Sequence, residues 1–180
     1  MMRNMLMVLA GAMAMVLTAP LAAQAADAPA SVFYGEYIGT GIAETKMPAK
    51  VAVTARDLDV TIKAAGDGFE VSWTTVEYKL QPGKVTSNRI TSAVTFLPTP
   101  RKNIFKPAKP GDPTAEEAYY WARISGQTLT VFAVSINEKG DQEIASWART
   151  LNGNRMELVF RRAVAGEPQR SVKGTLAKTK

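Results

Sequence analysis

In Asp57-Leu58-Asp59-Val60-Thr61-Ile62-Lys63 every second residue is apolar. That period puts Leu58, Val60 and Ile62 on one face of an extended strand and the charged and polar groups on the other. A helix would scatter the same residues around its circumference, so the stretch is committed to a half-buried sheet. Ala64-Ala65-Gly66-Asp67-Gly68 supplies turn residues, two of them glycines free to adopt positive φ. Phe69, Val71 and Trp73 then resume the alternation opposite Glu70, Ser72 and Thr74. From Val76 the phase changes to Val76, Tyr78 and Leu80, and a bulge near Thr74–Thr75 would explain that slip. Asp57–Lys79 therefore reads as a hairpin.

Two later segments share one design. Gly126-Gln127-Thr128-Leu129-Thr130-Val131 and Gly153-Asn154-Arg155-Met156-Glu157-Leu158 both read G-x-x-h-x-h, with h apolar. Each glycine follows a small polar residue, Ser125 or Asn152, as a tight turn requires. Strand-like runs precede them at Tyr119–Ile124 and Ile144–Leu151, with Glu138-Lys139-Gly140-Asp141 as the turn between the two hairpins. Val32–Ile38 fits a kinked opening strand, and Ser171–Lys178 a closing one after the turn Gly166-Glu167-Pro168. The sum is an all-β chain of eight to ten short strands, an antiparallel up-and-down barrel, with a two-sheet sandwich as the alternative. The one local exception is Asp112-Pro113-Thr114-Ala115-Glu116-Glu117, where an Asp112 cap or a Thr114/Glu117 capping box would start a single helical turn.

Ahead of the strands stand Arg3, an apolar run from Met5 to Leu17, and Ala23-Gln24-Ala25. A positive start, a short apolar stretch and a small-residue A-x-A site are the layout of a secretory signal peptide. The run is shorter than the roughly 20 residues that span a bilayer. Residues 1–25 are expected to be removed, leaving Ala26–Lys180 as one domain in the periplasm. A domain of that size buries about 68–70% of its unfolded surface. The chain has no cysteine and no histidine. Thiol catalysis, a Ser-His-Asp triad and any His- or Cys-ligated metal are thereby excluded, and no calcium-loop spacing appears. No cofactor is expected.

Charge is unevenly spread. Ala26–Tyr78 carries 4 basic and 8 acidic residues, Lys79–Lys109 carries 7 basic and no acidic ones, and Ile144–Lys180 carries 8 basic and 2 acidic. Basic regions of this kind suit an anionic envelope component or an acidic partner. No nucleic-acid motif is present. Pro98–Pro113 holds five prolines and the bases Arg101, Lys102, Lys106 and Lys109. Proline cannot donate into a ladder, so this segment reads as a long loop, with Ile104 and Phe105 folding down as a lid or standing out as a contact.

Trp73, Phe96, Trp121, Phe132, Trp147 and Phe160 all fall within strand-like runs, beside Phe69 and Tyr120. In a small barrel they line a cavity for an apolar ligand or fill the core. Asp57 and Asp59 share a strand face about 7 Å apart, a separation compatible with carboxylate-based hydrolysis; a solvated outer face is the simpler account. Glu116 and Glu117 suit a helix start. Serine offers no G-x-S-x-G elbow, and Ser171 with Lys173 is a single same-face pair. An eight-strand outer-membrane barrel would need longer apolar faces and aromatic girdles than these strands show.

Gly35-Glu36-Tyr37 near the first strand, standing where lipocalins show G-x-W, and Arg170 near the last strand resemble the calycin barrels. That group includes the lipocalins and small bacterial relatives. Tyr37 replaces the tryptophan, and no second lipocalin motif is visible. Arg56-Asp57-Leu58-Asp59-Val60, Gly68–Val76 and Trp121-Ala122-Arg123-Ile124 are similar to a group of exported alphaproteobacterial proteins without assigned activity. The resemblance implies a periplasmic barrel and no chemistry. The expected function is non-enzymatic binding of a small apolar or amphipathic envelope molecule, with the six aromatics as cavity and Arg101–Lys109 as lid. The alternatives are an envelope contact protein working through its basic regions and a carboxylate hydrolase.

Overall fold

The computed structural model describes residues 26–115 and 117–180, with the backbone alone at 79–81. The expected signal peptide, residues 1–25, and Glu116 lie outside the described residues. Ten strands follow in order: β1 (Gly35–Met47), β2 (Lys50–Ala65), β3 (Gly68–Gln81), β4 (Lys84–Pro98), β5 (Ile104–Pro107), β6 (Tyr119–Ser125), β7 (Thr128–Ile136), β8 (Gln142–Asn152), β9 (Arg155–Val164) and β10 (Glu167–Lys178). Each pairs antiparallel with the next, and β10 pairs with β1, so the sheet closes as an up-and-down barrel rather than a sandwich. The two G-x-x-h-x-h glycines sit where expected. Gly126 (φ 55°) turns β6 into β7 and Gly153 (φ 62°) turns β8 into β9, in a left-handed conformation that costs glycine least.

The apolar phase seen in the sequence points inward. Tyr37, Ile62, Phe69, Val71, Phe96, Ile124, Leu129 and Met156 are buried together, while Lys63 and Glu70 pair on the outer face at 2.9 Å. No bulge occurs at Thr74–Thr75. The pairing of β3 with β2 runs unbroken from Arg56↔Glu77 to Ala65↔Gly68. Inward positions simply continue as Phe69, Val71, Trp73, Thr75 and Glu77, and it is the lumen that turns polar. Val76 and Tyr78 lie on the outer face beside Asp57, whose carboxylate accepts the Tyr78 hydroxyl at 2.6 Å.

One end of the barrel is closed by the N-terminal segment. Ala30–Phe33 is a 3-10 turn rather than the expected strand, and Phe33 is buried as a plug. The Tyr37 hydroxyl donates to the Phe33 carbonyl at 2.9 Å. Asp27 ties the segment down: it accepts the Gly126 N–H at 2.7 Å and the Asn103 side-chain amide at 2.6 Å. Both bonds hold its carboxyl below the ordinary range, the Gly126 bond most strongly.

The segment 98–113 is not all loop. Ile104–Pro107 forms β5, pairing Phe96–Pro98 on one side and Ala122–Arg123 on the other. Pro107 is tolerated because it ends a short strand. Phe105 turns inward, edge-on to Phe69 at 4.9 Å. Arg101 and Lys102 stand in the β4–β5 turn at the closed end, Lys106 is exposed on β5, and Lys109 is exposed beyond it. The four bases therefore form no lid over the open end. Of the two expected caps for the 3-10 turn Pro113–Ala115, Asp112 acts, accepting from the Thr114 N–H and hydroxyl at 2.9 and 2.6 Å.

Closure of β1 on β10 depends on small residues. Gly41 and Gly174 are Cα partners, and Leu58 of β2 lies over them. A Cβ on Gly174 would stand 2.5 Å from the Leu58 Cδ1 and 2.8 Å from the Thr40 carbonyl oxygen.

Candidate functional site: an aromatic chamber behind an ionic gate

The inward alternation carries three of the six candidate aromatics into one cavity. Trp73 (β3), Trp147 (β8) and Phe160 (β9) line a cavity of about 180 Å³ in the lumen, with Leu58, Leu158 and Val172. The Trp73 and Trp147 ring centroids are 5.2 Å apart and those of Trp147 and Phe160 are 5.1 Å apart, within the range where aromatic pairs attract. Tyr120 packs 6.4 Å from both tryptophans, and burial pushes its hydroxyl pKa up.

The other three are elsewhere. Phe96 is core, 0% exposed and packed 5.5 Å from Phe69. Trp121 and Phe132 are cross-strand partners one residue out of phase with the inward Ala122 and Val131. They stack on the outer wall at 5.0 Å and 11°. Asp57 and Asp59 are also on the outer wall, bound to Tyr78 and, at 3.7 Å, to Arg89. Ser171 and Lys173 fall one on each side of inward-facing Val172, and face outward too.

Above the chamber the lumen is crossed by charge. Arg56 (β2) and Arg170 (β10) both contact the same Glu77 oxygen, at 3.4 and 3.2 Å. Arg170 also donates to the Thr45 hydroxyl at 3.2 Å. Burial lowers the Arg56 pKa, Glu77 opposes that shift and Arg170 adds to it. Beyond this gate lies an open vestibule of about 660 Å³. There Arg162 grips Glu143 with two bonds of 2.5 Å, which push its pKa up. Arg170 lines both spaces.

Below the gate Arg149 (β8) is completely buried. Its Cζ lies 5.4 Å over the Trp73 ring, and its Nη1 donates to the Trp147 carbonyl at 3.4 Å. Among the described residues Nε and Nη2 have no partner. Desolvation drives its pKa down to about 9. A guanidinium with neither acid nor full hydrogen bonding is costly in such surroundings.

Sequence reasoning placed none of these charged residues in the site, and Arg170 and Arg56 entered it only as carriers of the resemblances. The signal was present as charge in phase with the apolar alternation. Arg56 continues Leu58-x-Val60, Glu77 continues Val71-x-Trp73, Arg149 continues Trp147, Arg162 continues Phe160, and Arg170 continues Val172.

No family model and no curated protein match the sequence. Among solved structures, the chain is similar to a protein of unknown function from the DUF3598 family of Nostoc punctiforme. That match has a TM-score of 0.55 at 9% identity and covers 87% of this chain. The chain spans 51% of that protein's length, so the likeness is one of fold. An N-terminal dehydratase from the difficidin assembly line aligns over 81% of this chain and 78% of its own at 13% identity, with a TM-score of 0.22.

Proposed function

We propose that this chain is a binding protein, not an enzyme, which holds a small apolar or amphipathic molecule in the barrel lumen. The observation that carries the reading is the chamber between Trp73, Trp147 and Phe160, reached from the open end past Arg170. At about 180 Å³ it is smaller than the roughly 300–1,000 Å³ of sites for drug-sized ligands. It suits a short chain or a single ring, with the remainder of the molecule in the vestibule. The leader-like first 25 residues support a periplasmic location. The alternative of a contact protein has less support, because the four loop bases are spread from the closed end to beyond β5.

Native mass spectrometry of the protein purified from periplasm without detergent tests this. The expected result is a discrete adduct that leaves on denaturation and is weakened by Trp147→Ala. An unliganded mass, together with no uptake of added short-chain amphiphiles, would overturn the reading. Recovery from the cytoplasmic fraction would overturn the location alone.

A further inference from the structure

The polar wall of the lumen is not neutral. Among the described inward-facing residues at and below the gate stand three arginines, Arg56, Arg149 and Arg170, against one glutamate, Glu77, while the vestibule above adds Arg162 and Glu143 beside Glu138, Lys139 and Asp141. Glu143 is satisfied by Arg162. Glu77 serves both Arg56 and Arg170, so the gate carries one guanidinium more than its acid can neutralise. Arg149 beneath has no acid beside it among the described residues. A neutral ligand would leave both excess charges as they are, and a cation would add a third. Only an anion relieves them, since charge interactions strengthen as water is excluded.

Resting on the binding reading above, we infer that the ligand is an amphipathic oxyanion, a carboxylate or phosphate on a short apolar tail. Its head lies on Arg56 and Arg170, the two arginines that line the chamber itself. Its tail lies below, against Trp73, Trp147 and Phe160. Guanidinium groups suit this role because their fork of donors matches an oxyanion. Arg149, under the chamber floor, adds positive potential without contact.

The test compares octanoate, octyl phosphate, octanol and octyltrimethylammonium on the purified protein, read by tryptophan fluorescence. At least one of the two anions binds ten-fold or more tightly than octanol, and the tighter of them identifies the head group. The cation does not bind. Arg170→Gln brings anion and octanol affinities, both measured in that variant, to within two-fold of each other, and Arg170→Lys restores part of the preference. Circular dichroism confirms that both variants fold. Octanol binding as tightly as both anions overturns the anionic ligand and leaves lumen binding intact. Anion preference that survives Arg170→Gln but disappears in Arg149→Met moves the head to the floor and overturns the gate assignment. Failure of every probe overturns both readings.

Discussion

Arg149 lies with its guanidinium carbon 5.4 Å over the ring of Trp73, reaching from β8 across the lumen to β3. The contact recovers part of the cost of burying a charge, through attraction to the ring's negative face. It does not supply the two missing hydrogen-bond partners. Met in place of Arg149 keeps the apolar stem and removes the charge. In the ligand-free protein Arg149→Met is therefore expected to stabilise the fold by about 1–4 kcal/mol, seen as a higher Tm at pH 7. The pH dependence has a definite sign. Because the folded pKa is depressed to about 9 from the ordinary arginine range, the penalty is constant below pH 9 and relaxes as pH rises from there. The Tm gap between variant and wild type narrows above pH 9. A variant melting below wild type at pH 7 would show the guanidinium to be better satisfied than its surroundings indicate.

A methyl group at Gly174 has no room between the Leu58 side chain and the Thr40 carbonyl. Leu58 must leave its place over the Gly41–Gly174 seam, or the first and last strands must part. Gly174→Ala is expected to cost about 1–3 kcal/mol in urea unfolding. Gly174→Ala combined with Leu58→Ala should cost less than the two single changes added together, since the second removes the obstruction met by the first.

Asp27 acts through its charge at the closed end. Its folded pKa is held below the ordinary carboxylate range because the Gly126 N–H and the Asn103 amide favour the carboxylate. Its stabilisation is complete above the ordinary carboxylate range and is lost as pH falls through the folded value. Hydrogen exchange at the Gly126 and Phe33 amides should rise as pH drops below about 4, relative to intrinsic rates. In Asp27→Asn the exchange should be raised at neutral pH and lose that acid dependence. An acid step unchanged in the variant would assign the tether to another group.

Trp121 and Phe132 provide the control for the lumen. They stack on the outer wall, so Trp121→Ala should lower stability by about 0.5–1.5 kcal/mol beyond the loss of buried area. Ligand affinity should stay within two-fold of wild type, whereas Trp147→Ala should lower it at least ten-fold. Equal losses from the two would place the ligand outside the barrel.

The strand content was legible in the sequence because alternation is a local property. Leu58-x-Val60-x-Ile62 states its own inward face, and Ser125-Gly126 and Asn152-Gly153 state their own turns. Trp121 and Phe132 were misplaced because aromatic character does not report phase: the faces are set by the small inward Ala122 and by Val131. β5 was hidden by proline, since Pro107 ends the strand without interrupting a longer one. The gate was illegible for a different reason. Arg170 and Glu77 are 93 residues apart, and only closure of the barrel brings β10 within reach of β3. The phase change at Val76 marked the place in the sequence where the lumen becomes polar.

The seam that completes the ring joins its first strand to its last, from Tyr37↔Lys178 to Thr45↔Arg170. The native partner of the free edge of β1 is β10, so that edge stays open until β10 has been made and delivered. Up to that moment β1 is an unpaired edge, with Ile38 and Ile42 half exposed on the outer face beside it, and such edges recruit other chains. Pairings between distant parts of a chain also form slowly. A nascent copy is therefore a sticky open sheet for most of its assembly, and its last strand is the one that makes it safe. Shortening the chain by that strand would yield a species prone to aggregation rather than a smaller barrel.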